Sequence, residues 1–448
     1  MIRMKRQSTS ERVALFSYFI ALIGLGTVLL FLPAAWNGSA RLGFLDSFFT
    51  AVSAVCVTGL ITVDTALYSL FGKVVILLLI QFGGLGILTF TTMFFVSVKN
   101  RKVSLRNLRT VRNYYLDSIE FQAHHILRNI LVMTVTLELI GTLLLWFRFR
   151  TTVPDASFFT ALFHSVSAFC NAGFSLFSSS LEGYSSDPYI LIVIMLLVIS
   201  GGLGFLIIND IIIVTRKKKK RYSLHTRIVL ISTAALIILG TIGFLLLERN
   251  GALKEMTGLN KLINALFQSV TPRTAGFNAV SQGALKSSSK FLTMIFMFIG
   301  GSPASIAGGI KTTTFAIIFL TLLKEIDWQG RIRIGDRVLS QKTVTRSMLF
   351  MGKAVMLLAV SVFLLTLTEM NGAETGGPGF MVVVFESFSA FGTVGLSAGL
   401  TSSLSIAGKF VIICTMFAGR VGLISLSIPL FKEHNEEVEY PEEEVLIG

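Results

Sequence analysis

Four short segments have residue types and spacing suited to holding a cation. They read SAVCVTGL (53–60), SAFCNAGF (167–174), VTPRTAGF (270–277) and SAFGTVGL (389–396). Their common glycines are Gly59, Gly173, Gly276 and Gly395, separated by 114, 103 and 119 residues against a quarter-length of 112. Glycine permits φ > 0, so that successive carbonyls can turn toward one axis. Four such strands would form a ring of carbonyl oxygens that replaces an ion's hydration shell. The residues expected to line it are Val57, Thr58 and Gly59; Asn171, Ala172 and Gly173; Thr274, Ala275 and Gly276; and Thr393, Val394 and Gly395. Their side chains differ between segments, which suits coordination by the backbone. Three residues before each glycine stand Cys56, Cys170, Arg273 and Gly392, which argues against a cysteine ligand set. The alternative is glycines that merely let helices pack closely. A single segment would favour it; four in register favour the ring.

The stretch before each glycine is too short to cross a membrane. FLDSFFTAVSAV (44–55) opens with Asp46 in a helix N-cap position, and PDASFFTALFHSVSAF (154–169) opens with Pro154 and Asp155. These read as half-helices that enter a bilayer and stop partway. The partial negative charge of a helix C-terminus favours a cation there. Non-helical backbone at that depth is tolerated only where it is buried or lines a watery path.

The chain around these segments is strongly apolar: 53% of its 448 residues are hydrophobic and 14% charged, with a mean hydropathy of +0.74. A soluble domain is about 25% charged. Apolar runs lie near 13–34, 74–98, 127–147, 189–214, 227–247, 291–323, 347–368 and 408–430. A span needs about 20 such residues, so eight crossings are expected. The first run is too long for a signal-peptide core and reads as a retained helix. Lys and Arg number 22 in the N-terminus and the segments 99–112, 216–221 and 324–346, against 11 in the alternate loops. The positive-inside rule then puts both termini in the cytoplasm and all four glycine segments outside. The net charge of +14 and the run RKKKKR (216–221) are thus topology signals, not a nucleic-acid footprint. Cys56, Cys170 and Cys414 read as small core residues.

The expected architecture is an all-α polytopic membrane protein: four helix–pore-loop–helix repeats around a central ion pore. The repeats would occupy 1–98, 99–215, 216–323 and 324–431, followed by an acidic tail, 432–448. The second helix of each repeat carries a glycine cluster: FGGLG (82–86), SGGLG (200–204), GGSPASIAGG (300–309) and AGRVG (418–422). For the first two, close helix packing and pore lining explain the glycines equally well. The third sits inside a 33-residue apolar stretch, which as one helix would measure about 50 Å against a bilayer core of about 30 Å. It therefore predicts two half-helices joined by an intramembrane loop beneath the ring, a candidate gate. Gly300, Gly301, Ser302, Pro303, Gly308 and Gly309 would supply flexibility, with Lys311 and Thr312 at its end. Arg420, inside an apolar helix, must face water or a partner. It is expected to face the pore as an electrostatic barrier or as a latch for the loop's carbonyls.

These repeats, the string FQSVTPRTAGFN (267–278) and the string GGSPASIAGGIKTTT (300–314) resemble the Trk/Ktr/HKT superfamily of potassium transporters over about residues 12–431. Eight spans resemble the Ktr-type membrane subunit more than the longer Trk-type subunit. The resemblance implies K+ at the filter residues, one pore per chain, and a gating role for the intramembrane loop. It implies a homodimer in the lipid bilayer of the cell membrane, docked on a cytoplasmic ring of nucleotide-binding RCK-domain regulatory subunits. Some plant relatives carry serine at the first filter position and pass sodium; Gly59 here favours potassium. Sodium-coupled movement through the same pore is left open, and no nucleotide site is expected in this chain.

Rival classes fare worse. There is no HExxH, GxSxG or phosphate-loop signature, so an enzyme is the weakest reading. His124 and His125 have no further metal ligands in sequence. An alternating-access, sodium-coupled transporter is the serious rival, although its repeats are usually larger and fewer. Glu138, Asp210 and Glu386 are acids in apolar surroundings and so functional candidates. Holding a pore helix against its strand explains Glu386 as well as ion contact does. The basic segments 99–112 and 216–221 suit salt-dependent docking of the partner ring, and the tail EEVEYPEEEVLIG (436–448) reads as solvated.

Overall fold

The computed structural model describes residues 2–99, 123–152, 157–216, 221–323, 332–334, 337–370 and 378–422. The acidic tail, most of the basic segment 99–112, Lys217 to Lys220, Pro154 and Asp155 lie outside these residues, as do the side chains of His124 and His125.

The order long helix, short helix, glycine, helix recurs four times. The first instance is α1 (Ile2–Phe31), α2 (Phe44–Val55) and α3 (Leu70–Lys99). The second is α4 (Ala123–Thr152), α5 (Phe158–Phe169) and a broken helix, α6 (Pro188–Leu203) and α7 (Phe205–Thr215). The third is α8 (Leu224–Leu247), α9 (Gly258–Val270) and an interrupted pair, α10 (Ser287–Phe298) and α11 (Thr312–Leu323). The fourth is α12 (Gln341–Glu369), α13 (Phe380–Gly392) and α14 (Ile406–Phe417), which widens into a π-turn, Ala418–Gly422. The short helices measure about 18–20 Å, well under a bilayer core. Several starts are capped by side-chain oxygens: Ser157 accepts from Thr160 N, Asp187 from Tyr189 N, Ser223 from Thr226 N and Ser405 from Gly408 N. Such caps satisfy donors that the first helical turn leaves free.

Packing closes the four units into a circle. Within the units α2, α5, α9 and α13 lie against α1, α4, α8 and α12. Between units, α3 packs on α5, α6 on α9, α10 on α13 and α14 on α2. The bond from Lys409 Nζ to Asp46 Oδ1, 2.7 Å, ties the fourth unit to the first. Asp46 also accepts from Thr62 Oγ1 at 2.8 Å. The residue before α2 is Gly43, so Asp46 is not the N-cap expected from sequence; it sits in the first turn, where a carboxylate suits the positive end of the helix.

Among the described residues three helices are long and apolar enough to cross a membrane, Arg128–Thr152, Leu224–Leu247 and Gln341–Glu369. The pair α6 and α7 makes a fourth if taken as one span. Within α1 and α3 the described apolar stretches, Leu15–Phe31 and Leu70–Gly86, fall short of that length, and the run 291–323 is interrupted between α10 and α11. The run 189–214 is not one continuous helix: it bends by 98° at Gly204, which adopts φ +82°. A hairpin of β1 (Ile332–Ile334) and β2 (Arg337–Leu339) departs from the all-helical expectation. Its Arg/Ile alternation puts Ile332 on a face that packs with Ile317 and Val344.

Candidate functional site

The four glycine strands meet at the centre of the circle. A Cβ on Gly59 would collide with the carbonyl of Ala172 and lie 3.2 Å from Gly173 Cα. On Gly173 it would lie 2.8 Å from Ala275 O and 2.9 Å from Gly276 Cα. On Gly276 it would collide with the carbonyl of Val394, and on Gly395 with that of Thr58. The contacts run from first strand to second, third, fourth and back, a closed ring that leaves no room for a side chain.

The backbone of each strand alternates in hand. Gly59, Gly173, Gly276 and Gly395 have φ of +90°, +68°, +77° and +93°, and two residues earlier Val57, Asn171, Thr274 and Thr393 have φ of +55°, +55°, +78° and +50°. Three of these four are β-branched, for which the left-handed region is strained by about 1–3 kcal/mol each. The sequence places these four residues in the lining and marks the glycines, but it does not announce the left-handed backbone of the four, because Val and Thr do not favour it. The strain is sustained by bonds back to the short helices. Thr58 N reaches Ser53 O at 2.8 Å, Ala172 N reaches Ser167 O at 2.7 Å, Ala275 N reaches Thr271 O at 2.9 Å and Val394 N reaches Ser389 O at 2.9 Å. The amides are thereby spent on helix-end carbonyls. Among the described residues no hydrogen bond is directed to the carbonyls of Thr58, Ala172, Ala275 or Val394. Asn171 joins two strands: with Nδ2 donating to Ala168 O at 3.0 Å and Val198 O at 3.1 Å, its Oδ1 accepts from Thr274 Oγ1 at 3.2 Å.

Such a ring can hold a dehydrated cation. Unpaired carbonyls are the oxygen donors that hard monovalent ions take, and four short helices end at the ring with their negative poles toward it. Arg273, three residues before Gly276, is 9% exposed, and its Nε has no acceptor among the described residues.

Glycines of the second helices serve packing beneath the ring. A Cβ on Gly83, Gly201 or Gly419 would collide with the carbonyl of Val55, Phe169 or Phe391, in each case four residues before the ring glycine. The third unit has Pro272 at that register and an open loop in place of a continuous helix.

The loop 299–311 is closed at its base by Gly300 N to Ile310 O (2.8 Å), Thr312 N to Gly301 O (3.0 Å) and Thr312 Oγ1 to Gly300 O (3.0 Å). Lys311 Nζ donates to Ala307 O at 2.5 Å. Gly308 lies under the fourth strand, where a Cβ would strike the Thr393 side chain; Gly309 has φ +62°. The tip, with Ser302, Pro303 and Ala304, rests on the break between α6 and α7. Ser302 N donates to Gly202 O at 3.0 Å, Ser302 Oγ to Leu203 O, and Phe205 N to Ala304 O at 3.2 Å. This explains the break: the loop accepts the amide that a continuous helix would use internally. Arg420, 2% exposed, donates to the carbonyls of Ile306 and Gly83.

The other acids are tied into the framework. Glu138 accepts from Gln81 Nε2 of α3 at 3.1 Å. Asp210 accepts from Ser223 N at 3.0 Å and Thr226 Oγ1 at 2.7 Å. In the loop after the second strand, partial burial holds the Glu182 carboxyl above its ordinary pKa, opposed by a hydrogen bond from Asn278.

The sequence matches the family described as TrkH, cation transport protein, over residues 3–439. It is 35% identical to the Ktr system potassium uptake protein B of Bacillus subtilis, across 98% of this chain and 97% of that protein. It is 36% identical to the potassium/sodium uptake protein NtpJ of Enterococcus hirae, across 99% and 98%. The fold matches the crystal structure of the potassium transporter TrkH from Vibrio parahaemolyticus, with TM-score 0.74, 18% identity and coverage of 95% of this chain and 85% of that one. With both the whole-length sequence match and the fold in agreement, the chain belongs to the TrkH family of cation transport proteins, which are membrane proteins.

Proposed function

We propose that this chain is the ion-conducting membrane subunit of a Ktr-type potassium uptake system. The observation that carries the reading is the closed ring of glycine strands, with carbonyls of Thr58, Ala172, Ala275 and Val394 unspent. Potassium would be held there by those oxygens. The loop 299–311 would act as the gate beneath, with Gly300, Gly301, Ser302, Pro303, Gly308 and Gly309 as its flexible part. Lys311 and Thr312 would end it, and Arg420 would latch it. The names of the Bacillus subtilis and Enterococcus hirae relatives support potassium as the cargo, and the second favours a sodium dependence as a variant.

Both termini would be cytoplasmic, with the chain paired as a homodimer. The basic segments 99–112 and 216–221 would dock a ring of nucleotide-binding RCK-domain subunits. Potassium and sodium flux in liposomes, with and without such a ring, tests the reading. Expected is potassium flux far above sodium flux, set by the ring. Strictly sodium-coupled exchange that keeps its selectivity in ring-glycine variants would favour alternating access instead.

A further inference from the structure

Each short helix carries one buried polar side chain three residues before the hydroxyl that closes its turn. The pairs are Thr50 and Ser53, His164 and Ser167, Gln268 and Thr271, and Glu386 and Ser389. Residues three apart share one face of a helix. The hydroxyls brace the glycines: Ser53 Oγ accepts from Gly59 N and Ser389 Oγ from Gly395 N, both at 3.1 Å. Ser167 Oγ donates to Phe174 O at 2.8 Å and Thr271 Oγ1 to Phe277 O at 2.5 Å.

The side chain one turn earlier reaches past the glycine to the chain leaving the ring. Tyr68 Oη donates to Thr50 Oγ1 at 3.1 Å. Gln268 and Gln282 exchange amide bonds at 2.8 and 3.1 Å. His164 Nδ1 lies 2.8 Å from Thr160 O, which can only accept, so Nδ1 carries the proton; Nε2, 3.0 Å from Ser175 Oγ, is then the acceptor. Glu386 makes the largest set. Its Oε1 accepts from Ser397 Oγ, Ala398 N (3.1 Å) and Leu400 N (3.3 Å), and its Oε2 from Thr401 Oγ1 (2.8 Å). All four side chains are at most 4% exposed.

We propose that Thr50, His164, Gln268 and Glu386 are positioning residues that clamp both ends of each filter strand to one helix, and that Glu386 thereby sets the cation affinity and selectivity of the ring. This rests on the filter reading above. A buried polar group is unfavourable without partners. Here each one makes at least one bond to the segment that leaves the ring, at the same register in four units that differ in residue type. Ligands that discriminate between ions of like charge must be held in place by their supports. Glu386 has no cationic partner among the described residues, so its four accepted bonds are the working feature and its charge is not. A glutamine can reproduce them: Oε1 serves the three donors, and Nε2 donates to Thr401 Oγ1.

The test is uptake of K+ and Na+ by the full chain in liposomes, with kinetics. Glu386→Ala should raise the apparent KM for K+ and reduce K+/Na+ discrimination by about tenfold each, with maximal rate within about twofold. Glu386→Gln should restore both. Tyr68→Phe, which removes a single bond, should shift them by about twofold. Where Glu386→Ala does not assemble, Thr401→Val and Ser397→Ala carry the test, each with shifts of about threefold. Wild-type KM and discrimination in folded Glu386→Ala overturns the proposal, as does Glu386→Gln impaired as severely as Glu386→Ala. Absence of any K+ preference in the wild type would instead overturn the filter reading itself.

Discussion

Arg420 donates through Nη1 to the carbonyl of Ile306, a residue 114 positions away in the interrupting loop. Its Nη2 reaches Gly83 O at 3.4 Å, so one guanidinium joins the fourth, third and first units. A charge in an apolar helix is costly unless partnered, and a hydrogen bond to a charged group contributes about 1.5–3 kcal/mol. The placement of the loop around Ile306 and the burial of Arg420 therefore depend on each other.

Arg420→Ala removes both bonds and should free the loop. Potassium flux at a fixed gradient is expected to rise about tenfold, the equivalent of one charged hydrogen bond in an opening equilibrium. Isotope flux into liposomes measures it; unchanged flux in folded protein refutes the latch.

Gly173→Ser or Gly276→Ser places a Cβ where the neighbouring strand already lies, at φ of +68° or +77°. The ring must open, and K+/Na+ discrimination should fall by about tenfold or more. Competition between the two ions in uptake assays reads this directly.

Gly204→Ala would put a Cβ 2.5 Å from Ala304 O, at φ +82°. The loop tip must move while the ring is untouched. Increased flux with unaltered ion preference is expected; altered preference would show that the tip and the ring are not separable.

Gly201→Ala drives a Cβ into the Phe169 carbonyl and should lower stability by about 1–3 kcal/mol. A Cβ on Gly24 meets nothing within 4 Å, so Gly24→Ala should raise stability by up to about 1 kcal/mol. Thermal unfolding midpoints in detergent should move in opposite directions.

Much of this protein is legible in one dimension. The four glycine segments, the apolar runs around them and the glycine-rich interruption near residue 300 are local signals, since apolar length and φ preference belong to the residues themselves. Tertiary structure decided what depends on residues a hundred or more positions apart. Closure of the ring requires each glycine to meet the carbonyl of another unit. The left-handed conformations of Val57, Thr274 and Thr393 oppose local preference and persist only because the surrounding hydrogen bonds over-determine them. The break at Gly204 could not be read from an unbroken apolar run, because its cause is the Ala304 carbonyl arriving from a different unit to take the amide of Phe205.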